Sequence, residues 1–84
     1  MRYKTFDLLI ASTLAYNNFN CDLAPDASRP SRFWFIFEYP EEEDESFQTV
    51  VKSFWRGDLL VEPRRFYSIV KELKGRTKDS YGNV

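Results

Sequence analysis

Arg32-Phe33-Trp34-Phe35-Ile36-Phe37-Glu38-Tyr39 is the stretch on which the fold turns. Aromatic and β-branched side chains suit a pleated surface that is covered on at least one side. Successive side chains in a strand point to opposite faces, so Phe33, Phe35, Phe37 and Tyr39 share one face. Trp34 and Ile36 share the other, flanked by Arg32 and Glu38. Pro40 cannot extend the ladder and stops the strand. On the N-terminal side, Pro25-Asp26-Ala27-Ser28-Arg29-Pro30-Ser31 is turn chemistry throughout. Before it, Phe19, Cys21 and Leu23 alternate with Asn20 and Asp22, which predicts a short strand pairing with the first as an antiparallel hairpin.

Helical spacing appears on both sides of this hairpin. Leu8, Leu9, Ile10, Ala11, Leu14 and Ala15 recur with the helical period. Thr5 is expected as the N-cap, Asp7 as a first-turn acid, and Asn17-Asn18 as the stop, since Asn tolerates the left-handed conformation. Residues 1–5 are short, alternating and polar, an extended arm or edge strand. After Pro40, the acids Glu41-Glu42-Glu43-Asp44-Glu45 open a second helix, where negative charge suits the helix dipole. Phe47, Val50, Val51, Phe54 and Trp55 supply its apolar stripe, and Arg56-Gly57 ends it. Leu59-Leu60-Val61 reads as a short extended link. Pro63 suits the first turn of a third helix. Phe66, Ile69, Val70 and Leu73 form that helix's stripe, and Gly75 is expected as its C-cap glycine. The predicted fold is therefore α+β, a small β-hairpin sheet packed with three helices in the order α-β-β-α-α. It forms one domain over residues 1–75, followed by a flexible polar tail over 76–84.

The chain has 84 residues, room for one domain. Its 18% aromatic content marks a packed globule rather than a disordered chain. Net charge is −1, but the charge is split. Residues 1–45 carry four basic and nine acidic side chains, and residues 46–78 carry eight basic and three acidic. Such a dipolar chain suits oriented docking or self-association. The single cysteine excludes an internal disulfide, and with no signal-peptide pattern at the start, a cytoplasmic setting is expected. No apolar run is long enough to span a bilayer.

Chemistry is harder to place. The chain contains no histidine, which removes the commonest general base and metal ligand. One cysteine makes no zinc site, and three scattered glycines make no phosphate-cradling loop. The acidic run lacks the spaced Asp/Asn/Gly pattern of a calcium loop. No cofactor and no metal site are therefore expected. Catalysis would require carboxylates such as Asp7, Asp22 or Glu38 brought together by folding.

Tyr3-Lys4-Thr5-x-Asp7-Leu8, Phe33-Trp34-Phe35-Ile36-Phe37-Glu38, Val51-x-x-Phe54-Trp55, Pro63-Arg64-Arg65-Phe66 and Leu73-Lys74 together resemble a family of short prokaryotic and phage-associated proteins classed as a domain of unknown function. The resemblance covers nearly the whole chain except the tail. It implies a small cytoplasmic accessory protein, of phage or mobile-element origin, and no activity, cofactor or catalytic residue.

Two surfaces remain as candidates. The first is the Trp34/Ile36 face with Arg32. Either the first helix covers it, or it stays open as a patch for a protein partner or a second copy. On this reading the protein is a non-catalytic protein–protein interaction module, an adaptor, inhibitor or accessory subunit. The second is an anion or nucleic-acid surface in the basic C-terminal half: Lys52, Arg56, Arg64, Arg65, Lys71, Lys74, Arg76 and Lys78. There Arg64 and Arg65, beside the free N–H groups of a helix start, are placed either to clamp a phosphate or carboxylate or to pair with the acidic run or with Glu62.

Overall fold

The computed structural model describes residues 1–29 and 31–82, with side chains through Thr77. Its elements are β1 (Arg2–Thr5), α1 (Leu8–Tyr16), β2 (Cys21–Pro25), β3 (Phe33–Glu38), a 3-10 turn (Glu41–Glu43), α2 (Asp44–Arg56) and α3 (Pro63–Gly82). The class is α+β, as the sequence predicts, but the order is β-α-β-β-α-α. The polar N-terminal arm is a strand of the sheet.

β3 lies in the middle of an antiparallel sheet, between β1 and β2. The register places Tyr3 and Cys21 on either side of Phe37, and Thr5 and Leu23 on either side of Phe35. These residues face the helices. The centre of the core is Ile10, Ala11, Leu14, Phe35, Phe37, Tyr39, Phe47 and Leu73, so every helix contributes to the Phe35/Phe37 face. Phe47 of α2 is its hub. Its ring stacks on Tyr39 at 4.0 Å and meets Phe19 and Tyr3 edge-on at 4.9 and 5.3 Å. Aromatic pairs at these separations add to the burial of their area.

α1 is central and contacts both α2 and α3. It is apolar nearly all round, and the buried Ser12 and Thr13 donate their hydroxyls back to the carbonyls of Leu8 and Leu9 at 2.7 and 2.8 Å. Buried hydroxyls satisfied in this way carry little desolvation penalty. Its N-cap is Asp7, not Thr5. The Asp7 carboxylate accepts from Leu9 and Ile10 N–H at 2.8 and 3.2 Å, while Thr5 Oγ1 accepts from Asp7 N–H one step earlier. The stop at Asn17-Asn18 is as expected, with Asn18 at φ 72°.

Gly57 ends α2 at φ 74°, the left-handed region that glycine enters without steric penalty. α3 corrects the expected boundary. It runs through Gly75 to Gly82, so Gly75 is a helix-interior residue and not a cap. Residues 76–82 of the expected tail continue the helix, and 83–84 lie outside the described residues. Among the described residues no helix is long and apolar enough to cross a membrane.

Candidate functional site

The two candidate surfaces fare differently from expectation. Trp34 and Ile36 do face away from the helices, beside Lys4 and Asp22 in register with Ile36 and Ala24 in register with Trp34. α1 does not cover them, yet they do not form an open patch. Ile36 is only 6% exposed. Trp34 is half-buried, stacked on Phe6 with centroids 3.6 Å apart, and the Lys4 ammonium lies 4.5 Å from its ring. Arg32 is similarly engaged: its guanidinium lies 3.8 Å from the Phe6 ring and 3.2 Å from the Asp26 carboxylate. The hairpin satisfies these groups itself, so Ile36 in particular offers no area to a partner.

The anion clamp at the start of α3 is also occupied from within. Glu62 turns its carboxylate onto the N–H groups of Arg64 and Arg65, at 3.2 and 2.6 Å. That is the position an external anion would take. Arg65 lies over Tyr16, its guanidinium 4.3 Å from the ring and donating to the Tyr16 carbonyl at 2.9 Å. The Tyr16 hydroxyl in turn accepts from Glu62 N–H at 2.8 Å. Arg65 and Glu62 therefore dock α3 onto the end of α1. Of the other basic side chains, Arg56 pairs with Asp58 at 3.1 Å and Arg76 with Glu72 at 2.7 Å. Arg64, Lys71 and Lys74 on α3 and Lys52 on α2 are exposed and have no ion-pair partner among the described residues; the side chain of Lys78 lies outside them.

Of the carboxylates singled out for chemistry, Asp7 and Glu38 have structural partners, and Asp22 is exposed on β2. Asp7 caps α1, and Glu38 faces the Arg2 guanidinium at 3.8 Å. Among the described residues no group of three or more cysteines and carboxylates is placed to hold a metal ion. Cys21 points to the helix side of the sheet, and burial pushes its thiol up to about 11 against the opposing pull of Arg76. A thiol so raised is a poor nucleophile near neutral pH.

The surface that stands out lies at the link between α2 and α3. Leu60 is 94% exposed and Trp55 66% exposed. The chain neighbours of these two residues, Phe54, Leu59 and Val61, line a hollow of about 200 Å³ together with Thr13, Gly57 and Phe66. Trp55 packs edge-on against Phe54 at 5.0 Å, and Leu60 sits between the two link residues that line the hollow. The local sequence explains this geometry. Phe47, Val51 and Phe54 centre the apolar stripe of α2, and Trp55 falls at its edge, turned off the core. Gly57 reverses the chain, and the link then runs across the ends of α1 and α3 with alternate residues facing in and out. Leu59 and Val61 are half-buried, and Leu60 is out. By sequence alone Trp55 belongs to the apolar stripe of α2, and Leu59-Leu60-Val61 is a short extended link. The available signal was three consecutive apolar residues in a connection, where polar residues are the rule.

No family model matches the chain, and no curated protein or solved structure matches it.

Proposed function

We propose that the chain is a non-catalytic protein-binding module whose contact surface is the apolar edge formed by Trp55, the 59–61 link and Phe66. The role is that of an adaptor, inhibitor or accessory subunit, the kind of role the resemblance implies, and the single cysteine suits a cytoplasmic setting. One observation carries the reading. Leu60 at 94% and Trp55 at 66% exposure bury little of their area in the free chain, and the residues next to them in sequence, Phe54, Leu59 and Val61, line a largely apolar hollow. Scattered exposed apolar residues are ordinary, but a contiguous group around a concavity marks an interaction surface. Tryptophan is the side chain most enriched among the few residues that dominate binding energy, usually at the rim or centre of such a pocket. The surface proposed is thus not the Trp34/Ile36 face, where Phe6 and Lys4 already lie against Trp34 and Ile36 is buried.

The test is site-specific photo-cross-linking in the cells that produce the protein. A photoreactive residue replaces Leu60 in one variant and Glu42, on the acidic turn, in a control. The expected result is one discrete adduct from position 60, absent from position 42 and lost when Trp55→Ala is added. An adduct of twice the chain's mass would identify a second copy as the partner. Equal diffuse labelling from both positions would contradict the proposal.

A further inference from the structure

Three features lie outside the site above. A hollow of about 280 Å³ is lined by Asn18, Asn20, Cys21, Glu72 and Arg76 among others, but Arg76 there is consumed by Glu72 and the Cys21 carbonyl. The acidic turn Glu41–Glu43 is solvated and caps nothing with its side chains. The third feature, the outer face of α3, goes further than either.

Arg64, Tyr67, Lys71 and Lys74 recur at i, i+3, i+7 and i+10, and all four are exposed. This spacing keeps them on one face of the helix over about 15 Å. Through Thr77 the only acidic side chain on α3 is Glu72, which lies off that face and is neutralised by Arg76 at 2.7 Å. The Tyr67 ring is 56% exposed, with the Lys71 ammonium 5.5 Å from its centroid. Lys74 borders two hollows at once. One, of about 340 Å³, is lined by Tyr67, Lys71, Lys74 and the bare backbone of Gly75. The other, of about 260 Å³, leads past Lys74 and Thr77 to Ser31, Arg32 and Phe6 at the end of the sheet. A single track of cations and aromatic rings therefore runs along α3 and over the sheet's end.

The acidic run Glu41–Glu45, five of the nine acids of residues 1–45, does not oppose it. α2, with the acidic turn before it, packs through Phe47 against Tyr3 of β1. α3 packs toward the opposite edge, where Arg76 donates to the Cys21 carbonyl of β2 at 3.0 Å. α1 contacts both helices and lies between them. The acidic turn thus lies on the flank away from Arg64, Lys71 and Lys74, which have no ion-pair partner among the described residues.

From this arrangement we infer that the outer face of α3 is a binding site for single-stranded nucleic acid. Arg64, Lys71 and Lys74 contact phosphates, and Tyr67 stacks against a base. Phosphate contacts supply affinity without sequence preference, and an exposed aromatic ring takes any unpaired base. A duplex, whose bases are stacked on each other, leaves Tyr67 without a partner. The inference is independent of the apolar edge around Trp55 and Leu60.

Fluorescence anisotropy with a labelled oligothymidylate of about 15 nucleotides tests it, using the full chain. Three phosphate contacts predict binding about 20-fold weaker at roughly 200 mM salt than at roughly 50 mM. Lys71→Glu/Lys74→Glu and the milder Lys71→Gln/Lys74→Gln should each weaken binding at low salt, the former by about tenfold or more. Tyr67→Ala should weaken it about fivefold or more. Trp55→Ala/Leu60→Ser should leave it unchanged. Helix content by circular dichroism should be the same in every variant. The inference is overturned if the oligonucleotide fails to bind at low salt, or if the lysine variants bind as the parent does. It is equally overturned if a duplex of the same length binds as tightly, or if polyglutamate binds the same residues, which would make the face a site for an acidic protein.

Discussion

Trp34 and Trp55 show how two residues of one type diverge once the chain folds. In sequence, Trp34 lies on the strand face whose covering is left open, and Trp55 is a member of a helical stripe. In the structure Trp34 is stacked on Phe6, and Trp55 is 66% exposed. Alternation in a strand gives the face of a side chain but not what covers that face. Phe6 reaches Trp34 from the turn after β1, a contact no local pattern specifies. Asp7 makes the same point at smaller scale. Thr5 and Asp7 are both good cap residues, and only the entry angle of the chain decided that Asp7 takes the N–H groups of Leu9 and Ile10. Cys21 yields a prediction at this scale. Its folded pKa of about 11 lies above the ordinary value of 9.0, so the native state holds the thiol proton more tightly than the unfolded chain. The stabilisation is full below pH 9 and is lost as pH rises toward 11. Burial raises Tyr3, with Asp7 adding to it, and burial raises Tyr39, with the hydrogen bond to Asp44 adding to it; both carry the same sign at higher pH. With no histidine to titrate, chemical denaturation should find stability nearly constant between about pH 6 and 8 and declining above about 9. Cys21→Ala should shallow that decline without abolishing it. A stability that rises through this alkaline range would contradict the burial of these three groups.

Among the elements, the long strand, the hairpin and all three helices were legible because each carries its own period. β1 was legible only as an alternating arm. Its four residues have no wholly apolar face of their own, and its place is set by pairing with Phe35–Glu38, thirty or more residues away. Strand pairing is non-local, so a short polar strand leaves little trace in its own sequence. Gly75 failed for the opposite reason. A glycine after an apolar stripe usually ends a helix, but the polar residues beyond it are themselves helix-compatible and α3 continues. This difference is measurable. A Cβ at Gly75 would meet nothing within 4 Å, and the residue has helical backbone. Gly75→Ala should therefore stabilise the protein by about 0.5–1 kcal/mol in denaturant unfolding, by restricting the unfolded chain and improving helix propensity. If Gly75 were a left-handed cap, the same substitution would destabilise it. Gly57 at φ 74° is such a position, and Gly57→Ala is expected to destabilise.

At the scale of the molecule, the fold converts a charge-split sequence into separate surfaces. α1 holds apart the flank that carries the acidic turn and the flank that carries Arg64, Lys71 and Lys74, while the α2–α3 link leaves an apolar edge uncovered. The composition announced the dipole, and the missing histidine and lone cysteine narrowed the chemistry. Neither could announce the edge, because Trp55 fits a helical stripe and Leu59-Leu60-Val61 fits a strand. Only the geometry shows that Leu60 has nothing to pack on. The partner captured through position 60 gives the most direct measurement, a calorimetric titration against the parent chain and against Trp55→Ala/Leu60→Ser. The apolar edge as a binding surface predicts affinity at least about 30-fold weaker in the variant, the loss of about 2 kcal/mol expected for one dominant anchor. The melting temperature should move by no more than the small shift of a surface substitution. Equal affinity in the two proteins, or a variant that unfolds well below the parent, would show that Trp55 and Leu60 serve the fold and not a partner.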